Sequence, residues 1–193
     1  DGSQVICEPQ RKNTAPCIAF ATAKILNKDV NATLVVTPAD HLITNEQQFN
    51  SDLDIAISTA IAEDKLITFG IKPHRPDTGY GYIEFNDTNK EQQVQKVLQF
   101  REKPDLNKAE EFLNAGNFYW NSGMFIWRGS VLRNSFEKHC PELFDLFFAN
   151  GSVYNTLNEK EFCETSFEEC SSISIGYAIM EKEKNVAVIL SKF

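Results

Sequence analysis

The chain has 193 residues, 42% hydrophobic and 24% charged, a composition typical of one globular domain with its own core. The net charge of −8 argues against a nucleic-acid partner, because nucleic-acid binding needs a basic surface that displaces counterions. No apolar run approaches the roughly 20 residues of a membrane helix, and the start lacks a signal-peptide pattern. We therefore expect a cytoplasmic protein with no membrane partner. Its cysteines form no C-x-x-C pair, so neither a disulfide framework nor a zinc site is predicted.

The first part of the chain alternates helices with short apolar strands. Residues 13–26 predict a helix, with cap-type residues and a proline in the first turn before apolar residues at helical spacing. A strand is predicted at 33–37, a helix from Asn45 with Gln48 placed for a capping box, and a strand at 66–71. This alternation is typical of βαβ units and predicts an α/β fold, with a mostly parallel sheet covered by helices on both faces.

The second part begins with HRPDTGYGYI, a stretch rich in proline, glycine and tyrosine that predicts a shaped loop leading into a strand. The acidic region after residue 150 has weak periodicity and is predicted to be helical or irregular. The other predicted elements are strands at 94–100, 122–127 and 185–190, and helices at 108–116 and 130–140, the second ended by Pro141.

Asp40 follows the strand 33–37 in the stretch VVTPADHLI. Ligands of open α/β sheets bind beyond the carboxyl ends of strands, and a carboxylate there suits Mg²⁺, which takes one or two carboxylates together with phosphate oxygens and water. The alternative is that Asp40 caps a turn after Pro38. His41 beside it is interpreted as a structural histidine.

Two further stretches carry polar groups next to predicted strands. FREKPD supplies Glu102 and Lys103, a pair suited to sugar hydroxyls and a phosphate, or else a solvated charge cluster on a turn. WNSGMF supplies Asn121, Ser122 and Gly123, which suit a polyhydroxy ligand or an ordinary turn. No P-loop, G-x-S-x-G or H-E-x-x-H motif occurs, which argues against the chemistries built on those motifs.

Five stretches, taken together and in order, carry a family resemblance: EPQRKNTAPCIAFA, VVTPADHLI, TFGIKPHRPDTGYGYIE, FREKPD and WNSGMFIW. They closely resemble the nucleotidyltransferase domain of mannose-1-phosphate guanylyltransferases, found alone or fused to mannose-6-phosphate isomerase in bacteria. The resemblance covers most of residues 8–193. It implies a Rossmann-like nucleotide-diphospho-sugar transferase fold over residues 1–193, and an enzyme that makes GDP-mannose and pyrophosphate from GTP and mannose 1-phosphate with Mg²⁺. Homo-oligomer formation stays open.

The resemblance also implies roles for individual residues. Asp40 is expected to hold Mg²⁺ and, with Lys103, to be catalytic. Other matched positions are expected to bind the nucleotide or the mannose and its phosphate. The nucleotide group is Glu8, Arg11, Asn13 and Thr14, and the sugar-phosphate group is Gly79, Tyr80, Gly81, Tyr82, Glu102, Lys103, Asn121, Ser122 and Gly123.

Two departures from the family pattern leave alternatives open. The resemblance places the glycine-rich phosphate loop before residue 1 and any C-terminal domain after residue 193, so we expect both to be absent from this chain. Gly176 stands where the family is expected to carry a second metal-binding aspartate. The alternatives are a catalytically impaired sugar-nucleotide-binding or regulatory domain, and a related enzyme with another nucleotide or sugar.

Overall fold

The computed structural model describes residues 5–86 and 92–193. The chain divides into two compact units, which are described separately. The helical unit comprises the chain up to Ala32 together with Gly129–Lys182, and the sheet unit comprises Thr33–Arg128 and Glu183–Phe193. No described helix is both long enough and apolar enough to cross a membrane.

The helices and strands follow the predicted order closely. They are α1 (Thr14–Leu26), β1 (Thr33–Val36), α2 (Glu46–Glu63), β2 (Leu66–Ile71), β3 (Tyr82–Phe85), β4 (Val94–Arg101), α3 (Leu106–Ala115), β5 (Phe118–Arg128), α4 (Gly129–His139), α5 (Pro141–Phe147), α6 (Glu159–Glu169) and β6 (Val186–Ser191), with a 3-10 turn at Gly151–Val153 and a π-helix at Gly176–Met180.

An aromatic cluster forms the core of the helical unit. Phe20 of α1 meets Phe167 of α6 edge-on, with 5.7 Å between ring centroids, and Phe147 of α5 lies 5.2 Å from Phe167. Helix α5 was not predicted. Pro141 ends α4 as expected, but it is also the first residue of α5, a position where proline costs no hydrogen bond.

The sheet of the other unit has the strand order β1-β5-β2-β6-β4-β3. Strand β3 pairs with β4 and also with β5, so β5, β2, β6, β4 and β3 form a closed ring of pairings. Helix α2 covers part of this sheet, where Ala56 and Ala60 pack against Ile67, Phe69 and Ile126.

The prediction of a mostly parallel sheet is wrong. Among the described strands only β2 and β6 pair in parallel, and the remaining pairings are antiparallel. Strands β1 and β2 do run in the same direction, as expected for β1-α2-β2, because both are antiparallel to β5. The sequence pattern gives the direction of consecutive strands, but it does not reveal that β5 inserts between them.

The start of α2 shows a smaller difference. The Asn45 side chain caps the helix by accepting a hydrogen bond from the Gln48 backbone N–H at 3.1 Å, but Gln48 does not return a capping-box bond. Its Nε2 instead donates to the carboxylate of Asp52 at 2.8 Å. Asp52 is buried, and it also accepts hydrogen bonds from Gln93 Nε2 and from the Ser191 hydroxyl at 2.8 Å. This network satisfies a buried carboxylate and links α2 to β6.

Candidate active site in the sheet unit

A cavity of about 570 Å³ lies in the sheet unit where β1, β2 and β4 end. Its walls come from segments that are far apart in sequence, namely residues 38–43, 71–81, 102–103 and 120–124. The cavity brings together nine of the residues predicted for the metal or the sugar phosphate: Asp40, Gly79, Tyr80, Gly81, Glu102, Lys103, Asn121, Ser122 and Gly123.

Asp40 presents its carboxylate to solvent at the edge of this cavity. Its side chain is 89% exposed, and His41 Nε2 lies 4.0 Å from Oδ1. Among the described residues no hydrogen-bond donor satisfies this carboxylate, which gives no support to the turn-capping alternative. No group of three His, Cys, Asp or Glu side chains within the described part of the chain converges as a metal site. One exposed carboxylate fits Mg²⁺ that is held mainly by phosphate oxygens and water, and it does not fit a metal caged by the protein.

The turn after β4 places Glu102 and Lys103 at the cavity. Lys103 has a φ of 44°, a left-handed conformation that costs a residue with a side chain roughly 1–2 kcal/mol. A strained backbone conformation of this kind persists only where the surrounding structure fixes it, and such conformations are typical of functional sites. A Cβ atom on Gly81 would lie 3.0 Å from Glu102 Oε2 and 3.2 Å from Phe100 Cζ, so a larger residue here would press on both side chains.

Ser122 and Gly123 lie in a bulge of β5 and Asn121 borders it, so the alternative of an ordinary turn does not hold. Thr68 pairs with Phe125 and Gly70 pairs with Asn121, so a single residue of β2 faces three residues of β5. Gly123 takes a φ of 76°, which favours glycine. The bulge redirects the strand and turns these residues toward the cavity. Because the strand continues on both sides of the bulge, it starts at Phe118 and not at the predicted residue 122.

Residues 73–81 form a loop that is held by Asp77. The Asp77 carboxylate accepts hydrogen bonds from the Gly79 N–H at 2.8 Å and from the Arg75 guanidinium at 2.7 and 3.0 Å. The Gly79 N–H, followed by Arg75, lowers the pKa of Asp77 below its ordinary value. At neutral pH the ionised carboxylate thus fixes the loop that carries Gly79 and Tyr80 into the cavity.

Trp120 is a cavity residue that our reading of the sequence missed. It is 6% exposed, and three loop side chains surround its ring. The Arg75 guanidinium lies 5.2 Å from the ring centroid, and the rings of His74 and Tyr80 lie 5.0 and 5.1 Å away. The signal was present in WNSGMF, but a tryptophan at the start of an apolar strand is also what an ordinary core predicts.

Tyr82 was predicted to line the sugar side, and this placement is wrong. Tyr82 is fully buried, and its ring packs against Phe112 with 5.4 Å between centroids. Its hydroxyl accepts a hydrogen bond from the Asp77 N–H at 2.9 Å. In GYGY the two tyrosines stand on opposite sides of Gly81: Tyr80 faces the cavity, and Tyr82, the first residue of β3, points into the core.

The four residues predicted to bind the nucleotide lie in the helical unit, where two of them form hydrogen bonds that stabilise the fold. The Asn13 side chain accepts a hydrogen bond from the Thr14 N–H at 2.8 Å and caps α1, while the Thr14 hydroxyl accepts one from the Ile175 N–H at 2.9 Å. Glu8 is half-buried and Arg11 is exposed. Their expected role toward the nucleotide stays a prediction.

Gly176, where the resemblance places a second aspartate, is the first residue of the π-helix Gly176–Met180 in the helical unit. It is buried, and it is not among the described glycines with positive φ, which are Gly116 and Gly123. Its backbone conformation therefore does not require glycine.

The fold is an α/β fold, and comparison with known proteins shows the family to which it belongs. The family model for nucleotidyl transferases matches residues 2–163, so the chain belongs to the nucleotidyl transferase family. Within this family it is 40% identical over 195 residues to the mannose-1-phosphate guanylyltransferase of Sinorhizobium fredii (strain NBRC 101917 / NGR234). That match covers 99% of this chain but 37% of the relative, so the chain spans less than half of that relative's length.

Solved structures share the fold. The crystal structure of mannose-1-phosphate geranyltransferase from Thermus thermophilus superposes with a TM-score of 0.86 at 27% identity, covering 100% of this chain and 54% of that one. The crystal structure of mannose-6-phosphate isomerase from Helicobacter pylori superposes with a TM-score of 0.80 at 30% identity, covering 95% of this chain and 70% of that one. The chain therefore has the α/β nucleotidyltransferase fold, with a mixed sheet.

Proposed function

We propose that this chain carries the sugar-phosphate site of a mannose-1-phosphate guanylyltransferase, which forms GDP-mannose and pyrophosphate from GTP and mannose 1-phosphate. The observation that carries the proposal is the convergence of Asp40, Glu102, Lys103 and Asn121 on one cavity from separate parts of the sequence. The name of the Sinorhizobium fredii relative supports the choice of sugar and nucleotide.

The cavity has the chemistry that a hexose needs. Its volume of about 570 Å³ lies within the ordinary range for small-molecule sites. The Glu102 carboxylate can accept hydrogen bonds from sugar hydroxyls, and the Asn121 amide can both donate and accept them. The loop that carries Gly79 and Gly81 adds backbone groups at close approach.

The phosphate of the sugar would be recognised by the Lys103 ammonium of the same cavity. Lys103 stands on the strained turn after β4. An ammonium is a side-chain group that binds phosphate oxygens through charge-assisted hydrogen bonds. The Arg75 guanidinium is paired with Asp77, so Lys103 supplies the local positive charge in a chain whose net charge is −8.

In the proposed reaction an oxygen of mannose 1-phosphate attacks the α-phosphorus of GTP. A new P–O bond forms there, the bond from the α-phosphorus to the bridging oxygen breaks, and pyrophosphate leaves with the electron pair. The attacking oxygen is already anionic, so the protein supplies no nucleophile and acts by orienting the sugar phosphate through Lys103, Glu102 and Asn121. Asp40 would hold Mg²⁺, which when bound neutralises charge on the phosphates.

The direct test uses the protein as its gene encodes it, with GTP, mannose 1-phosphate and Mg²⁺. Turnover is measured through the release of pyrophosphate. We expect GDP-mannose to form, and UTP or glucose 1-phosphate to be poorer substrates. Faster turnover with another nucleotide or sugar would replace the proposed substrates. Binding of mannose 1-phosphate without any turnover would favour the alternative of a regulatory domain.

A further inference from the structure

Thr68 on β2 has contacts that connect it to the proposed sugar site. It is fully buried, and its hydroxyl lies 2.8 Å from Asn121 Oδ1 and 2.8 Å from the Met124 carbonyl oxygen. Thr68 pairs with Phe125 on one side of the bulge, next to Met124, and Asn121 pairs with Gly70 on the other side. Its hydroxyl therefore joins both sides of the bulge.

The hydrogen bonds of this hydroxyl restrict the orientation of the Asn121 amide. A threonine hydroxyl has one hydrogen to donate, but it has two neighbours at hydrogen-bond distance. The Met124 carbonyl can only accept, whereas the Asn121 amide can present either its oxygen or its NH₂ group. Both contacts are therefore hydrogen bonds only if the hydroxyl donates to Met124. The remaining partner of the Thr68 oxygen must then be a donor. Turning the Asn121 amide by 180° places its NH₂ group against Thr68, and amide orientation is assigned from such networks.

We propose that Thr68 is a positioning residue for ligand recognition by Asn121. It binds the amide NH₂ group and leaves the amide oxygen to accept a hydrogen bond from a sugar hydroxyl. The Asn121 backbone is fixed at the same time, because its N–H donates to the Gly81 carbonyl at 2.7 Å. Both the side chain and the main chain of Asn121 are thus held before a ligand binds, which lowers the entropic cost of recognition.

This inference rests on the proposed function for its ligand, but its first test does not. In ¹⁵N-labelled protein without ligand, the side-chain NH₂ signals of Asn121, assigned by their loss in Asn121→Ala, should exchange slowly with solvent. They should exchange faster in Thr68→Val. NH₂ signals of Asn121 that exchange as fast in the unsubstituted protein as in Thr68→Val would overturn the inference, whatever the protein binds.

The second test is a double-mutant cycle on mannose 1-phosphate binding, measured by calorimetry. Thr68→Val should weaken binding about tenfold, and Thr68→Ser, which keeps the hydroxyl, should restore it. Thr68→Val should have little further effect in an Asn121→Ala background, because Thr68 acts through Asn121. Additive effects of the two substitutions, or full affinity in Thr68→Val, would overturn the inference.

Thr22→Val is the matched control, because Thr22 is a fully buried threonine of α1 whose hydroxyl has no hydrogen-bond partner among the described residues. It should leave mannose 1-phosphate binding unchanged. If Thr68→Val does not fold, the exchange measurement on the unsubstituted protein still decides the matter, because NH₂ signals of Asn121 that exchange as fast as those of the exposed Asn134 would overturn the inference. If the unsubstituted protein does not bind mannose 1-phosphate at all, the proposed function fails. The exchange test of Thr68 remains valid in that case, because it is done without ligand.

Discussion

The cavity of the sheet unit and the start of α1 in the helical unit both carry polar residues that resemble family site positions, but the fold uses them differently. At the cavity, the Asp40 carboxylate is 89% exposed, and the described residues offer it no hydrogen-bond donor. At the start of α1, the Asn13 side chain caps the helix and the Thr14 hydroxyl binds the Ile175 N–H. Polar atoms that form no hydrogen bond within the fold remain available to bind a ligand.

The backbone shows the same difference in another form. Lys103 and Gly123 both have positive φ at the cavity, where no helix start explains it. Asn13 also has a positive φ of 69°, but it is the cap of α1. The comparison therefore predicts that substitutions at the cavity change activity more than stability, and that substitutions at the start of α1 do the reverse.

The largest effect is expected for Asp40→Asn. Because Asp40 is exposed, the substitution should leave the melting temperature within a degree or so while it lowers turnover about 100-fold or more, as expected when a metal ligand is lost. Pyrophosphate release and thermal melts measure the two effects. Asp54→Asn, an exposed position on α2, is the control and should change neither. Turnover within a few-fold of the unsubstituted protein would remove Asp40 from the metal site.

Lys103→Ala should have the next largest effect, confined to one substrate. Loss of a charge-assisted contact to the sugar phosphate should raise the KM for mannose 1-phosphate about tenfold or more and change the KM for GTP little. Steady-state kinetics with each substrate varied in turn measure this. Lys96→Ala, at an exposed position of β4, serves as the control. An equal rise in both KM values would argue against a position on the sugar phosphate.

Asn13→Ala should show the opposite pattern. Loss of the cap should lower the free energy of unfolding by about 1 kcal/mol, because the Thr14 N–H loses its acceptor. Asn13→Gly should cost less, because glycine tolerates the positive φ at this position. Urea unfolding and GTP titration measure the two quantities. Weaker GTP binding at unchanged stability would show that Asn13 acts on the nucleotide, as the resemblance implies.

The smallest effect concerns pH. Since the Gly79 N–H and Arg75 lower the folded-state pKa of Asp77, the carboxylate stabilises the loop at every pH above its unfolded pKa. That contribution should disappear as the pH falls through the lowered folded-state value. A ¹³C titration of the Asp77 carboxyl should give a pKa below the ordinary 3.8, and Asp77→Asn should flatten the acid side of the stability profile. A titration at or above 3.8 would contradict the loop geometry.

Local sequence signals predicted most of the elements and most of the cavity. Capping residues and periodicity located α1 and α2, and an apolar run located β1 within a residue. The site residues came from motif resemblance, and the cavity gathers most of the sugar-phosphate group because those motifs lie next to the ends of β2 and β4 and at the bulge of β5.

What the sequence did not reveal depends on long-range pairing. The insertion of β5 between β1 and β2 is a contact between distant segments that no local pattern encodes. The same holds for Tyr82, whose ring is buried against Phe112 of α3, a residue far from it in sequence. Thr68 and Trp120 look like ordinary strand residues, and only the bulge and the loop packed near them show their relation to the site.

The central claim, that this cavity binds a sugar 1-phosphate, is tested most directly with glycine amide signals. Gly79, Gly81 and Gly123 line the cavity, whereas Gly116 and Gly151 do not. In protein labelled with ¹⁵N-glycine, addition of mannose 1-phosphate should shift the first three signals in a saturable manner and leave the other two in place. Unchanged signals from the three cavity glycines at a saturating concentration, or equal shifts of all five, would contradict the account.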